Sequence, residues 1–310
     1  MKTIKYTDLI LLLVLSCASI LSYGQQTPLF AEYNFNPFLV NPAYTGMPLG
    51  PEIILSNHGY FNSIEGTPSS SSITFNSSLS NEKMGIGALL SHDKIGVTTN
   101  TNASIAYSYK IFFGAKNNKS YMRRPYWQLY NRKVFSFGMT AGLHHLKEDL
   151  LDLEIDNDPE FAKNIAATLP TIGVGFLYHS PGFYIGVSAP NLLTDQFSPH
   201  QELNLSNPIY GYLGYRFFSY RVEDIMIKPS LLIKYEDGAP AQIDTNLSFS
   251  FRNKLELGVG YRSTSSINFL VGIYAWNHLL LNYQHNTRFN NSILGNSHGL
   301  ILSYFIDGFE

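Results

Sequence analysis

Four acidic side chains alternate along one stretch of the chain, and their spacing raises the possibility of a calcium site. They are Asp152, Glu154, Asp156 and Asp158. An EF-hand loop that began at Asp152 would need glycine at its sixth position and glutamate at its twelfth. Those positions hold Asn157 and Lys163. The stretch is therefore predicted to be a solvated acidic loop, and no metal site is expected.

The side chains that could act as catalytic bases or nucleophiles do not form a recognisable motif. None of the nine histidines belongs to an HExxH pattern, and the neighbours His144 and His145 would point to opposite faces of a strand. The sequence also lacks GxSxG, a P-loop and a GxGxxG that opens a helix. We therefore predict no catalytic residue, no cofactor and no enzymatic activity. A barrel hydrolase with serine and histidine on its wall is the enzymatic alternative.

Two long connections interrupt the patterned part of the chain. Residues 115–132 are basic and aromatic, and Arg124 and Trp127 could hold an acidic partner or stack on a sugar. A solvated outer loop is the favoured interpretation of this stretch. Residues 146–168 are acidic and end in a short predicted helix around 159–167. The net charge of −2 gives no reason to expect a nucleic acid partner.

The beginning of the chain has the pattern of an export signal. Lys2 and Lys5 precede an apolar run, Leu9–Leu15, and small residues follow near Gly24, where cleavage is predicted. The run is too short for a membrane-spanning helix. Cys17, the only cysteine, lies inside this signal, so disulfides are excluded once residues 1–24 are removed. Lipidation of Cys17 remains an alternative, because the residues before it faintly resemble a lipobox.

The elements behind the signal read as short strands with strict alternation. In residues 71–79, for example, Ile73 and Phe75 fall on one face while Thr74 and Asn76 fall on the other. Charged residues make up only 14% of the chain and aromatic residues another 14%. Apolar residues that alternate with small polar ones suit a wall with lipid outside and a polar lumen inside. We predict an all-β fold, a transmembrane antiparallel β-barrel of about 14 strands (12–16) over residues 51–310.

The segment between the signal and the barrel differs from both. Residues 25–46 contain Pro28, Pro37 and Pro42 together with five aromatic residues. Proline removes a ladder donor, so this segment is unsuited to a helix or a central strand. Its unpaired backbone groups cannot lie in lipid. Residues 25–50 are therefore predicted to form a periplasmic, plug or docking segment, whose deletion from Pro28 to Gly46 should spare barrel insertion but abolish partner function.

At this point the chain resembles the PorP/SprF family of outer-membrane proteins from the type IX secretion and gliding machinery. The resemblance begins in the proline-rich segment and continues, in the order typical of the family, along nearly the whole chain. Its motifs are Phe35-Asn36-Pro37, Asn41-Pro42-Ala43-Tyr44 with Gly46, Asp156-Asn157-Asp158-Pro159, Lys228-Pro229-Ser230-Leu231-Leu232 and Leu257-Gly258-Val259-Gly260-Tyr261-Arg262.

The resemblance implies a non-catalytic role in the outer membrane. Its expected partners are outer-membrane lipid, periplasmic components of the secretion machinery, and a secreted surface protein with a C-terminal sorting domain. A porin-like solute channel is the alternative function. The candidate partner-contact residues are Phe35, Asn36, Pro37, Asn41, Pro42, Ala43, Tyr44 and Gly46.

Overall fold

The computed structural model describes residues 31–48, 50–60, 66–79, 82–114, 133–155, 158, 161–192, 207–218, 225–237, 239–252, 254–263, 266–276, 278–288 and 295–306. The predicted export signal and Cys17 lie outside these residues. Among the described residues, no helix is both long and apolar enough to cross a membrane.

Antiparallel strands account for most of the described chain. Their alternating residues make each strand apolar on one face and small or polar on the other, which is the pattern of a half-buried sheet. The strands are β1 Glu52–Tyr60, β2 Ser69–Ser78, β3 Met84–Ile95, β4 Thr98–Phe113, β5 Lys133–Glu148, β6 Ile165–His179, β7 Phe183–Ala189, β8 Ile209–Tyr215, β9 Phe217–Phe218, β10 Ile225–Tyr235, β11 Gln242–Phe251, β12 Leu255–Arg262, β13 Ser266–Ala275, β14 Leu279–Arg288 and β15 Ser297–Phe305.

The sheet closes into a barrel because its first and last strands pair. Each strand is bonded to its neighbours in sequence, and β1 pairs with β15 from Glu52 opposite Phe305 to Tyr60 opposite Ser297. Strands β8 and β9 both pair with β10 in one continuous register, so together they form one interrupted strand of the barrel wall. We call each strand of the wall, counted in this way, a stave. The wall therefore has fourteen staves, which confirms the predicted transmembrane barrel and its strand number.

A proline explains the break between β8 and β9. Pro229 lies in β10 between Ser230, which pairs with Gly214 of β8, and Ile227, which pairs with Phe217 of β9. Proline has no backbone N–H, so it cannot donate to the ladder at this point. The register is the same on both sides of the gap, so β8 and β9 stay aligned with β10 although the pairing with β10 is interrupted between them.

The two faces of the wall carry opposite chemistry. On the outer face, Ile105 and Leu143 are 69% and 56% exposed. Inward positions of the same strands hold Ser108 and Ser136, which are fully buried. Apolar residues thus face the membrane and small polar residues face the interior, as the alternation predicts.

The outer face also shows where the apolar surface stops. On β5, apolar residues from Phe135 to Leu143 point outward, which matches the roughly 9–11 residues that a tilted strand needs to cross a bilayer. Directly beyond them, one row of outward polar residues runs across six paired strands. This row consists of Asn57, Ser71, His92, Thr101, His145 and Thr168. It marks one edge of the apolar band.

The opposite edge of the band is aromatic. It lies at the end of the barrel where β1 begins and β15 ends, which we call the terminal end; the polar row lies toward the far end. Outward aromatic residues at or beside the strand ends here are Phe113, Tyr215, Phe217, Phe251, Trp276 and Tyr304. Such a belt matches the aromatic girdles of outer-membrane barrels. Tyr212, on the same strand as Tyr215, faces the interior at 5% exposure and does not belong to the belt.

One local prediction is wrong where the structure describes it. The helix expected around residues 159–167 is replaced from Ile165 onward by strand β6. A 3-10 helix lies earlier in the same connection, at Leu150–Leu153, and Asn164 accepts a hydrogen bond from the backbone N–H of Leu151. Long-range pairing of β6 with β5 overrides the local helix preference.

The two-faced wall predicts that the cost of an outward charge depends on its depth. Replacing Ile105 by lysine places a charge near the middle of the apolar band and should destabilise the barrel by about 2–4 kcal/mol. Ser71→Lys, in the polar row, should cost only about 0–1 kcal/mol. Urea unfolding of both variants in lipid vesicles measures the difference. Equal costs would contradict the position assigned to the apolar band.

Candidate functional site

Residues 33–47, which we call the lumenal segment, occupy the inside of the barrel. Short 3-10 helices at Ala31–Asn34, Pro37–Leu39 and Pro42–Tyr44 form this part of the chain. Pro37 and Pro42 stand at the first turns of two of them, where their fixed φ is favourable and a missing N–H costs nothing. The prolines that prevent a strand therefore produce a compact series of turns.

Most of the candidate partner-contact residues are buried against the barrel wall. Phe35 is 8% exposed, Asn36 1%, and Asn41 and Ala43 are completely covered. Pro42 and Gly46 are also buried, whereas Pro37 and Tyr44 are half-buried. Their contact with a partner protein stays a prediction; in this structure their neighbours are inward side chains of the strands.

Hydrogen bonds attach the lumenal segment to several strands of the barrel, namely β2, β4, β7, β10 and β11. None of these bonds belongs to a backbone ladder, because the 3-10 turns leave many donors and acceptors without regular partners. The bonds run from Asn36 Nδ2 to Thr74 Oγ1 (2.9 Å), from Gly46 N to Asn76 Oδ1, from Ser108 Oγ to the carbonyl of Thr45 (2.5 Å), from Lys110 Nζ to the carbonyl of Gly46, from Ser188 Oγ to the carbonyl of Val40 (2.5 Å), from Ser230 Oγ to Asn34 Oδ1 (3.1 Å) and from Asn246 Nδ2 to Tyr33 Oη (2.5 Å).

Asn41 uses both ends of its amide. Its Oδ1 accepts from the backbone N–H of Ala43 at 2.8 Å and caps the following 3-10 helix. Its Nδ2 donates to the carbonyl of Phe176 at 3.0 Å and lies 3.5 Å from the carbonyl of Val187. These carbonyls belong to the paired strands β6 and β7, so one side chain joins the lumenal segment to two staves.

Glycines on the wall provide the space for this contact. A Cβ at Gly138 would overlap the backbone of Pro42 and Ala43, and one at Gly85 would overlap the backbone of Thr45. Gly175 is similarly close to the Asn41 side chain. At Gly85 and Gly138 the interior of β3 and β5 therefore fits the backbone of the lumenal segment directly, whereas at Gly175 the interior of β6 fits the Asn41 side chain.

Gly46 is constrained in a second way. Its φ of 68° lies in the left-handed region, and a Cβ there would also overlap the Cα of Gly85. Glycine is the residue that combines this conformation with such a close approach. The final glycine of the NPAYTG motif thus has a structural requirement of its own.

Apolar contacts hold the segment to two different sides of the barrel. Tyr33 and Val40 belong to a buried cluster with Leu177 and Leu232. Phe35 belongs to a separate cluster that it forms with inward residues of other strands, namely Ile54, Leu270, Leu280 and Ile301. The lumenal segment therefore crosses the interior between these clusters.

Tyr33 is a neutral hydrogen-bonding group in this environment. Burial raises the pKa of its phenol well above the usual range, and the nearby Asp244 carboxylate adds to the effect. The phenol oxygen accepts from Asn246 Nδ2 on β11. The contact between Tyr33 and the wall is therefore independent of pH over the physiological range.

Inward ion pairs are the main feature that the sequence analysis missed. Lys228 Nζ lies 2.6 Å from Glu256 Oε1, and Lys234 Nζ lies 2.8 Å from Glu236 Oε2. The Arg262 guanidinium binds the Asp244 carboxylate through two nitrogens, with the shortest distance at 2.8 Å. Counting strand parity would have shown that Asp244 and Arg262 face inward, because both alternate with outward apolar residues.

Two regions singled out by their chemistry fall partly or wholly outside the described residues. The basic and aromatic stretch 115–132 is one of them, although the strands that flank it, β4 and β5, both have their adjacent ends at the terminal end. In the acidic stretch, Asp152 and Glu154 are exposed, whereas Asp156 lies outside the described residues. The absence of a calcium site stays a prediction.

Comparison with known proteins gives one family match. The family described as "Type IX secretion system membrane protein PorP/SprF" matches residues 22–304, which include the lumenal segment and nearly the whole barrel. A comparison with curated proteins finds no significant match.

Solved outer-membrane proteins share the fold at low sequence identity. A deletion mutant of the TodX monoaromatic hydrocarbon channel has a TM-score of 0.50 at 9% identity, covering 86% of this chain and 93% of its own. Omp33 from Acinetobacter baumannii has a TM-score of 0.45 at 7% identity, covering 84% and 100%. Outer membrane phospholipase A from Escherichia coli has a TM-score of 0.33 at 8% identity, covering 83% and 93%. The family match, together with the closed barrel itself, places the chain in the outer membrane.

The close contact between Gly138 and the lumenal segment leads to a prediction that can be tested with a matched control variant. Gly138→Ala introduces a methyl group against the Pro42–Ala43 backbone and should destabilise the folded barrel by about 1–3 kcal/mol, as overpacking does. Gly211→Ala is the control, because a Cβ at Gly211 meets no atom within 4 Å. Urea unfolding in vesicles compares the two. A Gly138 variant as stable as the Gly211 variant would show that the segment does not press on the wall.

Proposed function

The chain belongs to the PorP/SprF family of type IX secretion system membrane proteins, and we propose that it is a non-catalytic barrel that supports secretion or cell-surface attachment of adhesin-like proteins. The observation that carries this proposal is the family match over residues 22–304. Its proposed partners are periplasmic components of the machinery and a secreted surface protein with a C-terminal sorting domain. Outer-membrane lipid surrounds the apolar band.

We infer that the terminal end faces the periplasm. Outer-membrane barrels have short periplasmic turns and longer outer loops. Three connections at the terminal end are short, at residues 180–182, 252–254 and 276–278, whereas residues 149–164 and 190–208 connect strands at the far end. There are exceptions: the connection 115–132 is long, and the far-end connections 96–97 and 263–265 are short. The strands that flank 115–132, β4 and β5, have their adjacent ends on the periplasmic side in this orientation. This orientation favours the interpretation of residues 115–132 as a basic and aromatic contact for an acidic partner over that of a solvated outer loop.

The lumenal segment is proposed to act by shaping the periplasmic end of the barrel. Six of the eight candidate contact residues are buried, so a partner that approached the barrel would contact the residues around these six before it reached them. Pro37 and Tyr44, the two half-buried candidates, expose surface that a partner could contact directly. Substitutions of buried members should therefore affect partners indirectly, through displacement of the whole segment.

Affinity purification from the native outer membrane tests this proposal. A tagged wild-type chain and Gly211→Ala should each co-purify a secretion component and a large surface protein. Gly138→Leu should lose both several-fold, because a larger side chain displaces the lumenal segment from β5. Heat-modifiable migration on gels confirms that each variant still forms a barrel.

The outcomes separate two claims. If neither protein accompanies the wild type, the proposed function fails. If both proteins accompany folded Gly138→Leu undiminished, the family function stands but the lumenal segment has no part in it.

The porin-like alternative makes a different prediction for the isolated protein. The lumenal segment crosses the interior and bonds to strands on several sides, from Asn36 near β2 to Asn34 near β10. We therefore expect no steady ohmic pores from purified protein in planar bilayers. Steady conductance that persists with the segment intact would favour a solute channel over a secretion partner.

A further inference from the structure

The membrane-facing wall has an apolar groove outside the lumenal segment. It has a volume of about 430 Å³ and lies across strands β5 to β10. Side chains that line it are Phe135, Phe176, Ile185, Val187, Leu213 and Ile233. All six are apolar, and their outward positions make the groove part of the surface that faces lipid.

Two features of the wall form the groove: its strands are short here, and one outward position carries no side chain. Strands β7 and β8 have seven residues each, whereas β6, which pairs with β7, has fifteen. Gly211 on β8 contributes no side chain, and no atom lies within 4 Å of where its Cβ would stand. On one side the groove is bounded by Phe135 and Phe176, whose ring centroids are 6.3 Å apart.

The lumenal segment fixes the shape of the groove from behind. Asn41 Nδ2 donates to the carbonyl of Phe176, and Ser188 Oγ on β7 donates to the carbonyl of Val40. The Tyr212 ring covers the inner side of Gly186, where a Cβ would overlap it. A groove whose floor is bonded on its inner side is preformed, so a ligand loses little affinity to reorganisation of the wall.

We propose that this groove binds one acyl chain of an outer-membrane lipid. Apart from Tyr178 and Tyr212, the side chains that line the groove are apolar, so a polar ligand would find few hydrogen-bond partners there and would be disfavoured in the hydrocarbon layer. Lipid is continuous with the groove on every side of the apolar band. Preference for this place over the rest of the wall comes from van der Waals packing into a fitted surface, since lipid tails are as apolar as the side chains.

Photocrosslinking of the full-length protein tests the site. The protein is reconstituted in phosphatidylethanolamine vesicles that contain a small fraction of lipid with a diazirine on its acyl chain. Crosslinked residues are identified by mass spectrometry. We expect crosslinks at Phe176, Ile185 and Leu213 to exceed those at Ile105 and Leu143, although the last two are more exposed to lipid, by about fivefold.

A filling variant and its control decide the outcome. Gly211→Phe should reduce groove crosslinking to the level of the control face, whereas Ala103→Phe, outward on β4, should leave it unchanged. Both variants are first checked for heat-modifiable migration. Uniform crosslinking around the barrel or no effect of Gly211→Phe would each overturn the proposal.

Discussion

Every backbone N–H and C=O that enters the membrane must find a partner within the protein, and the structure depends on this constraint. The wall meets it by closing on itself, with β1 bonded to β15 and every other stave bonded on both sides. The lumenal segment cannot meet it in the same way, since its prolines prevent a ladder. It uses inward side chains instead, such as Ser108 for the carbonyl of Thr45 and Ser188 for the carbonyl of Val40.

The same constraint explains the composition of the inner face. Serine, threonine and asparagine at inward positions act as hydrogen-bond partners for an irregular backbone, and glycines allow that backbone to approach. Gly138 and Gly85 illustrate the second role, because any side chain there would collide with the NPAYTG turns. The segment and the wall are therefore complementary surfaces, and the proline-rich motif belongs to the fold as much as to any partner.

Much of the wall could be predicted from sequence because its signal is local. A residue's face follows from counting by two along a strand, so Ile73 and Thr74 could be assigned without knowing their neighbours. The same rule separates two tyrosines of β8: Tyr212 and Tyr215 are three residues apart, so they face opposite sides of the wall. The inward parity of Asp244 and Arg262 could also have been counted, although their pairing requires the register of β11 with β12.

The remaining features depend on contacts between distant residues. Asn41 reaches Phe176 and Val187, more than a hundred positions away, and nothing local to its motif indicates that partner. The helix expected near residue 160 failed for a related reason, since β6 is held in place by β5. A proline-rich segment could be excluded from lipid by principle, but its place among these strands is a property of the whole barrel.

The most direct test of this account is the accessibility of position 40 to a membrane-impermeant maleimide. Val40 is 1% exposed, and in a chain with Cys17→Ala the variant Val40→Cys carries the only thiol. Asp152→Cys, at an exposed position in the connection between β5 and β6 and outside the apolar band, serves as the comparison. We expect rapid labelling at 152 and labelling at 40 only after heat denaturation. Equal labelling of the two thiols in the folded barrel would contradict it.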